Sequence, residues 1–232
     1  MKYMKIYAFI FARGGSKGIK RKNMVSLGGK PLISHAIDLA KKNKQINKIF
    51  VSTDDNEIKN LSKLSKVNII SRPKYLATDK SGEWKSWQHA VNYLKKKGDE
   101  FDIFVSLPAT SPFRSMNDLK KSIKLLRDTT DVVVTISKAN RNPWFNMVKE
   151  NKQGFLQVLN KSNKKINRRQ DAPQVYDLTT VAYVLRPDFI LKNKGIFDGK
   201  VKGLNVSKER ALDIDDMFDL KIAKLLMENK ID

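Results

Sequence analysis

Hydrophobic and polar positions alternate along the chain in two rhythms. Short apolar, β-branched or aromatic runs predict strands, and longer stretches with helical spacing of apolar residues predict helices. The predicted strands are residues 5–11, 48–52, 67–71, 101–107, 131–137, 179–185 and 201–206. The predicted helices are residues 32–42, 55–65, 84–97, 116–127 and 217–229. This alternation indicates an α/β fold, with a Rossmann-like, mainly parallel sheet that carries helices on both faces.

The alternation fails between residues 138 and 173, which are polar, rich in Asn and Arg, and interrupted by Pro143 and Trp144. Residues 140–173 hold too few apolar side chains to form a core of their own. We therefore predict a single domain over residues 1–232, with residues 140–173 as an inserted hairpin arm that packs against something outside itself.

Composition narrows the class of protein. The chain has 232 residues, of which 41% are hydrophobic, and none is cysteine, so disulfides and thiolate chemistry are excluded. No apolar run approaches the roughly 18 residues of a membrane helix, and the first residues lead into a strand and not a cleavable signal. We expect a cytoplasmic protein that has no membrane segment.

The formal net charge of +22 raises the question of nucleic-acid binding. The lysines are spread over the solvent positions of predicted helices, and no basic stripe is interleaved with aromatic residues. This pattern favours a solvated surface over a nucleic-acid footprint, although the excess charge favours acidic substrates.

The loop after the first strand, "ARGGSKGIKRKN" (residues 12–23), has the properties of a triphosphate site. Gly14 and Gly15 allow close backbone approach and positive φ, and the loop has no acidic residue to balance its cations. The cations are Arg13, Lys17, Lys20, Arg21 and Lys22. The spacing matches neither a Walker A loop nor a dinucleotide fingerprint.

Two further loops carry candidate chemistry. In "LDIDD" (residues 212–216), Asp213 and Asp215 project to one side of an extended segment and suit Mg²⁺, or else these acids only start the last helix. The loop "SLPATSPFRS" (residues 106–115) presents Thr110, Ser111 and Arg114 to a sugar or its carboxylate, while its Ser115 is alternatively a helix cap.

Together these segments resemble a known family. "ARGGSKGIKRKN", "SRPKYLATD", "PATSPFR" and "LDIDDMFDL" are similar, in order and spacing, to the motifs of CMP-sialic acid synthetases, the acylneuraminate cytidylyltransferases. "RNPWFN" and "RRQDAPQVYD" resemble more closely the bacterial branch that acts on legionaminic-type nonulosonic acids. The resemblance implies a nucleotidyltransferase that joins CTP to a nine-carbon α-keto sugar acid and releases pyrophosphate.

The resemblance also implies site residues, a cofactor and an assembly. The implied nucleotide-binding residues are Ala12, Arg13, Gly14, Gly15, Lys17, Lys22, Asn23, Arg72, Ala77 and Ser81. Those implied in catalysis are Arg13, Lys17, Lys22 and Asp215. Those implied in sugar binding are Thr110, Ser111, Arg114, Phe145, Arg169, Gln170 and Tyr183. Asp213 and Asp215 would hold Mg²⁺, and the arm would make a homodimer by reaching the partner's active site.

Several positions depart from the family pattern. Pro108 replaces a Gln, "TTVAY" (residues 179–183) replaces a strand that carries amides, Phe145 lies where a partner Lys is expected, and Glu83 replaces a small Ser. The sugar and the base therefore stay open: the alternatives are a Kdo-type or 8-amino-Kdo-type sugar acid, or GTP as donor. A basic nucleic-acid-binding protein is the remaining alternative, but it would leave Asp213 and Asp215 without a purpose.

Overall fold

The computed structural model describes residues 4–163 and 165–228. Its strands are β1 (Ile6–Phe11), β2 (Ser26–Leu27), β3 (Lys30–Pro31), β4 (Ile46–Thr53), β5 (Asn68–Ser71), β6 (Ile103–Ser106), β7 (Val132–Lys138), β8 (Val148–Glu150), β9 (Leu156–Val158), β10 (Tyr176–Leu185) and β11 (Val201–Asn205). Its α-helices are α1 (Leu32–Lys42), α2 (Asn56–Leu64), α3 (Glu83–Lys96), α4 (Met116–Leu125), α5 (Pro187–Lys192) and α6 (Met217–Glu228). The predicted end of the last helix, Asn229, lies outside the described residues.

The central sheet has seven strands in the order β11-β7-β10-β6-β1-β4-β5. Strand β10 runs antiparallel to both of its neighbours, and the other pairings are parallel. The predicted mainly parallel sheet is therefore confirmed. The patterns missed the β2–β3 pair and α5 because these elements are too short to show a period.

Strand β1 shows why helices cover both faces of the sheet. Ile6, Ala8 and Ile10 point into one core cluster, which also holds apolar residues of α1, α2 and α4. Tyr7 and Phe9 point into the other cluster, against α3 and α5. Because side chains alternate between the faces of a strand, a strand that is apolar throughout needs cover on both sides. The two-faced helical cover predicted from these runs is confirmed.

The connections place a crevice beside β1. The chain moves from β1 outward to β4 and β5, then returns to place β6 on the other side of β1. The loops after neighbouring parallel strands separate at such a reversal, and ligands bind beyond the carboxyl ends of the strands there. Residues 12–23 begin at this point.

Residues 140–173 contain a small sheet of their own. Strands β8 and β9 pair antiparallel and form a two-stranded hairpin that is not part of the main sheet. Every residue of both strands is exposed.

Within the described residues, no helix combines the length and the apolar character that crossing a membrane requires.

Candidate active site

A cavity of about 250 Å³ opens at the carboxyl edge of the sheet, beside β1, β5 and the start of α3. Its lining residues come from segments far apart in the chain: Phe11, Arg13, Gly15, Ser16, Lys22, Asn23, Arg72, Leu76, Thr78, Asp79, Ser81, Glu83, Ser86 and Thr110. A larger cavity of about 880 Å³ lies near Met4 and Ile103, where strands begin, and is lined by none of the site residues predicted from sequence. The smaller cavity is therefore the candidate nucleotide site.

Backbone and amide contacts shape the loop after β1. The Ala12 amide donates to the Ser52 carbonyl oxygen over 3.1 Å, and Asn23 Nδ2 donates to the Arg13 carbonyl oxygen over 3.0 Å. A Cβ on Gly14 would lie 2.7 Å from Asp55 Oδ2, so a side chain there would force Asp55 to move. The predicted positive φ is wrong for Gly14 and Gly15, because neither is among the described glycines with that backbone conformation. Close approach alone explains Gly14.

Gly18 joins this loop to the aspartate segment. A Cβ on Gly18 would lie 2.2 Å from the backbone oxygen of Asp215, so a side chain there would push the two segments apart. The Ile214 amide also donates to the Thr110 carbonyl oxygen over 2.9 Å. All three sequence-predicted loops therefore meet. Sequence reasoning missed Gly18, although a third glycine in "GGSKG" was the available signal.

Acidic side chains from elsewhere in the chain balance the cationic loop. Asp79 accepts from Arg13 Nη2 at 2.6 Å and from Lys17 Nζ at 3.1 Å, and these two cations hold its pKa below the usual value, Lys17 having the larger effect. Lys22 Nζ lies 2.8 Å from Asp215 Oδ1. Tertiary contacts thus pair Arg13, Lys17 and Lys22 with acids that are distant in the sequence.

Arg21, one of the five predicted phosphate-loop cations, is engaged elsewhere. Its backbone is left-handed, with φ 57°, and its guanidinium binds Asp55 at 3.1 Å and Glu57 at 2.6 Å, at the start of α2. The side chain therefore ties the loop to α2 and is not directed at the cavity. Of the five loop cations, Arg13 and Lys22 line the cavity.

The other end of the cavity holds Arg72 and Glu83. Arg72 donates from Nε to Ser52 Oγ over 3.3 Å and from Nη2 to the Ser52 carbonyl oxygen over 2.9 Å. Burial lowers the pKa of Arg72 to about 10, and Asp54 opposes this shift. Glu83 is open to the cavity but surrounded by protein, which raises its pKa, while Trp87 and Arg72 oppose that rise. Ala77 accepts a 3.4 Å hydrogen bond from Arg13, and Ser81 lines the cavity.

The aspartates before α6 divide into two kinds. Asp216 Oδ1 accepts from the amides of Phe218 and Asp219 at 2.8 and 3.0 Å, so it caps the helix. Asp213 and Asp215 form no such cap. Asp213 Oδ1 is buried and has no hydrogen-bond partner within residues 4–163 and 165–228, and the Asp215 side chain is 72% exposed beside Lys22. A buried carboxylate oxygen without a donor suits a cation.

Two more cavities continue from Asp213 away from the nucleotide site. The first, of about 300 Å³, is lined by Asp213, Thr180, Lys138 and Lys208 among others. The second, of about 460 Å³, shares Lys138 and Lys208 and adds the predicted sugar residues Arg169 and Gln170. Both cavities are therefore continuous in their lining with the aspartate segment.

The other predicted sugar residues are placed differently. Thr110 lines the nucleotide cavity, and Ser111 Oγ lies 2.5 Å from Thr180 Oγ1. Tyr183 is only 6% exposed and packs against Trp87, and burial raises its pKa. Phe145 lies in a turn in which its amide donates to the Asn142 carbonyl oxygen. It is not among the residues that line these cavities.

Arg114 is inside the protein, with 5% of its surface exposed. Burial lowers its pKa to about 9, and the nearby Asp213 carboxylate opposes the shift. Its Nη2 donates to the Pro108 carbonyl oxygen. Ser115, the next residue, caps α4: its Oγ accepts from the Asp118 amide over 3.1 Å, and the Asp118 carboxylate accepts from the Ser115 amide over 3.0 Å. The alternative role of Ser115 as a helix cap is confirmed.

Solved structures of two synthases have the same fold. CMP:2-keto-3-deoxy-manno-octonic acid synthetase, solved with CTP, matches with a TM-score of 0.70 and 17% identity over 97% of this chain and 99% of that one. A 4-diphosphocytidyl-2C-methyl-D-erythritol synthase matches with a TM-score of 0.70 and 12% identity, again over 97% of this chain and 99% of that one. At these identities the matches show a shared fold.

Sequence comparison is more specific. Post-translational flagellin modification protein B of Campylobacter coli is 32% identical, with 97% of this chain and 96% of that protein covered. The CMP-N,N'-diacetyllegionaminic acid synthase of Campylobacter jejuni is 31% identical, with 97% and 96% covered. The N-acylneuraminate cytidylyltransferase of Escherichia coli is 27% identical. That match covers 97% of this chain and 53% of the Escherichia coli protein. The family model described as Cytidylyltransferase matches residues 7–228, so this chain belongs to the cytidylyltransferase family of nucleotidyltransferase enzymes.

Proposed function

We propose that this enzyme transfers a cytidylyl group from CTP to a hydroxyl of a nonulosonic, sialic-acid-like sugar. The observation that carries the proposal is the 2.8 Å contact between Lys22 and Asp215, residues 193 positions apart. It joins the candidate triphosphate loop to the candidate metal segment at the carboxyl edge of the sheet. A phosphate-binding cation and a metal-binding acid are needed together where a phosphoryl group is transferred.

The nucleotide would lie along the 250 Å³ cavity, with its base toward Arg72 and its phosphates toward Arg13 and Lys22, which line the cavity, and toward Lys17, which binds the lining residue Asp79. In the structure, Asp79 forms ion pairs with two of these cations, Arg13 and Lys17. A triphosphate carries more charge than one carboxylate, so it competes for Arg13 and Lys17 and releases Asp79. These residues position the α-phosphate and spread its developing charge, which is the main source of rate in such transfers.

Asp213 and Asp215 are the residues that we propose to hold Mg²⁺. The partnerless buried Oδ1 of Asp213 and the exposed carboxylate of Asp215 fit that role. Among the described residues, no group of three or more His, Cys, Asp or Glu could hold a metal ion. The other ligands would be water and substrate oxygens, as is usual for this ion. A bound Mg²⁺ would neutralise charge on phosphate oxygens and acidify a bound hydroxyl.

The sugar acid would lie in the two cavities beyond Asp213. Lys138, Lys208 and Arg169 line them and could bind a carboxylate, while the acids Asp177 and Asp213 line the first cavity. The sugar hydroxyl attacks the α-phosphorus in line with the departing pyrophosphate. One O–P bond forms, the bond to the β-phosphate breaks, and a proton is released.

We propose a legionaminic-type acid as the sugar. Support comes from relatives in Campylobacter jejuni and Legionella pneumophila named CMP-N,N'-diacetyllegionaminic acid synthase, which are 31% and 30% identical. Phe145 and the apolar character it would add suit a methyl or acylated amine better than a glycerol tail. The fold shared with a CMP-Kdo synthetase keeps a Kdo-type acid as the second candidate.

We also propose a homodimer made through the arm, residues 140–173. A two-stranded hairpin is marginal in water without further cover, and this one exposes several large apolar side chains. Among them, Phe155 is 70%, Leu156 65% and Val148 53% exposed. A second copy that covers these side chains would place the turn of residues 142–146 and Arg169 near one sugar pocket shared between subunits.

The reaction is tested by the release of pyrophosphate. We expect release with CTP, Mg²⁺ and diacetyllegionaminic acid, and a lower kcat/KM with Neu5Ac or Kdo, because in the proposed dimer Phe145 would bring an apolar ring to the shared sugar pocket. GTP in place of CTP should give no release. A higher kcat/KM for Neu5Ac or Kdo than for diacetyllegionaminic acid contradicts the proposed sugar, and release without any sugar acid contradicts the proposed reaction.

Lys17→Ala should lower kcat/KM about 100-fold, because it removes one charge directed at the reacting triphosphate. Lys20→Ala is the matched control: Lys20 is an exposed cation of the same loop with no ion pair in the described part of the chain. It should stay within about threefold of the parent. Equal losses in both variants would mean that the loop acts only through its overall charge.

Asp215→Asn should abolish Mg²⁺-dependent turnover and leave the free energy of unfolding within about 1 kcal/mol, because this side chain does not cap the helix. Asp216→Ala should show the opposite pattern, with a loss of about 1 kcal/mol in urea unfolding and near-normal turnover. If Asp215→Asn keeps its activity and is destabilised, the metal assignment is wrong.

Light scattering should give the mass of a dimer at micromolar concentration. Leu156→Lys should shift the protein toward monomer because it places a charge among the apolar side chains that the partner would cover. Lys152→Glu, in the connection between the two strands, serves as a control for charge changes on the arm. A fully active monomer would refute the shared pocket.

A further inference from the structure

Two groups of opposite character remain unused at the base end of the nucleotide cavity. Arg72 donates hydrogen bonds to Ser52 from Nε and Nη2, and its Nη1 makes no hydrogen bond in the described part of the chain. Glu83 accepts a 3.2 Å hydrogen bond from Trp87 Nε1 at Oε1, and no described donor reaches its Oε2. Both residues line the cavity. The cavity therefore presents a charged donor beside a charged acceptor.

The two groups are held in place by the structure around them. Trp87 lies one helical turn after Glu83 in α3, is 1% exposed, and orients the carboxylate through its indole N–H. The Arg72 guanidinium is fixed by its two bonds to Ser52 and lies 5.5 Å from the ring centre of Phe11. The two side chains also interact electrostatically, since the Arg72 charge opposes the rise in the pKa of Glu83. Held rigidly, such a pair can discriminate between ligands by hydrogen-bond pattern.

Cytosine and uracil differ in the pattern that this pair would meet. Cytosine carries a 4-amino donor next to ring acceptors, whereas uracil carries a carbonyl acceptor at the same position. We propose that Glu83 accepts a hydrogen bond from the 4-amino group while Arg72 donates to the acceptors of the ring, so that Glu83 selects CTP against UTP. Uracil would turn its 4-carbonyl oxygen toward the carboxylate and leave a buried acceptor without a donor, which is costly.

This inference rests on the proposed function, since it assumes that the base lies at the Arg72 end. A purely structural role is the competing explanation, because acids are favoured in the first turn of a helix. That role predicts a change in stability and no change in base preference.

The test measures dissociation constants for CTP, UTP, GTP and pyrophosphate by calorimetry. The parent protein should bind CTP at least 100-fold more tightly than UTP or GTP. Glu83→Gln, whose amide can present either a donor or an acceptor, should lower the ratio of CTP to UTP affinity at least tenfold. Its affinity for pyrophosphate should be unchanged, because that ligand meets only the phosphate end.

Two variants complete the design. Glu100→Gln, at the cavity on the opposite edge of the sheet, should leave every constant unchanged. Glu83→Ala should lower the same ratio and replaces Glu83→Gln if that variant fails to fold. An unchanged ratio in a folded Glu83 variant overturns the inference while the proposed function stands. A parent protein that prefers GTP, or that binds no nucleotide, overturns both.

Discussion

The close approach of Gly18 to the backbone oxygen of Asp215 is the constraint on which the active-site edge depends. Because no side chain intervenes, the loop after β1 and the segment before α6 lie in contact. The bond from Ile214 to the Thr110 carbonyl oxygen adds the loop after β6 to the same junction. The Lys22–Asp215 ion pair, and with it the proposed pairing of a phosphate site and a metal site, depends on this close approach.

Charge balance is the second consequence of that junction. Arg13, Lys17 and Lys22 would repel one another in isolation, and Asp79 and Asp215 offset this repulsion in the free protein. The same carboxylates are the groups that a triphosphate or a cation would engage or displace. In the proposed reaction, substrate contacts would replace these internal ion pairs.

The proposed sugar site is built differently from the nucleotide cavity. Its cavities are lined from the ends of β7 and β10, the arm and Lys208, and its polar residues come mostly from irregular segments. A three-residue slip in the pairing of β10 with β7, where Thr179 opposes Thr135 and Tyr183 opposes Val134, directs Thr180 toward Ser111. Loops and bulges of this kind can vary without disturbing the sheet, so related enzymes can share a nucleotide site and differ in the sugar.

The sequence alone determined the fold class, because buried strands and amphipathic helices leave periods that can be counted, and it located the three loops through their glycines, cations and acids. It also indicated Ser115 as a possible cap and pointed to Asp213 and Asp215 as metal ligands, but helix initiation stayed open as the alternative role of these acids. Only the tertiary structure decided the contacts that these side chains make. It assigned Asp216 to the helix and left Asp213 without a partner, turned Arg21 toward Asp55, and brought Asp79 to Arg13. Each of these outcomes depends on contacts between segments distant in the chain, and a local pattern carries no information about which distant charge will arrive beside it.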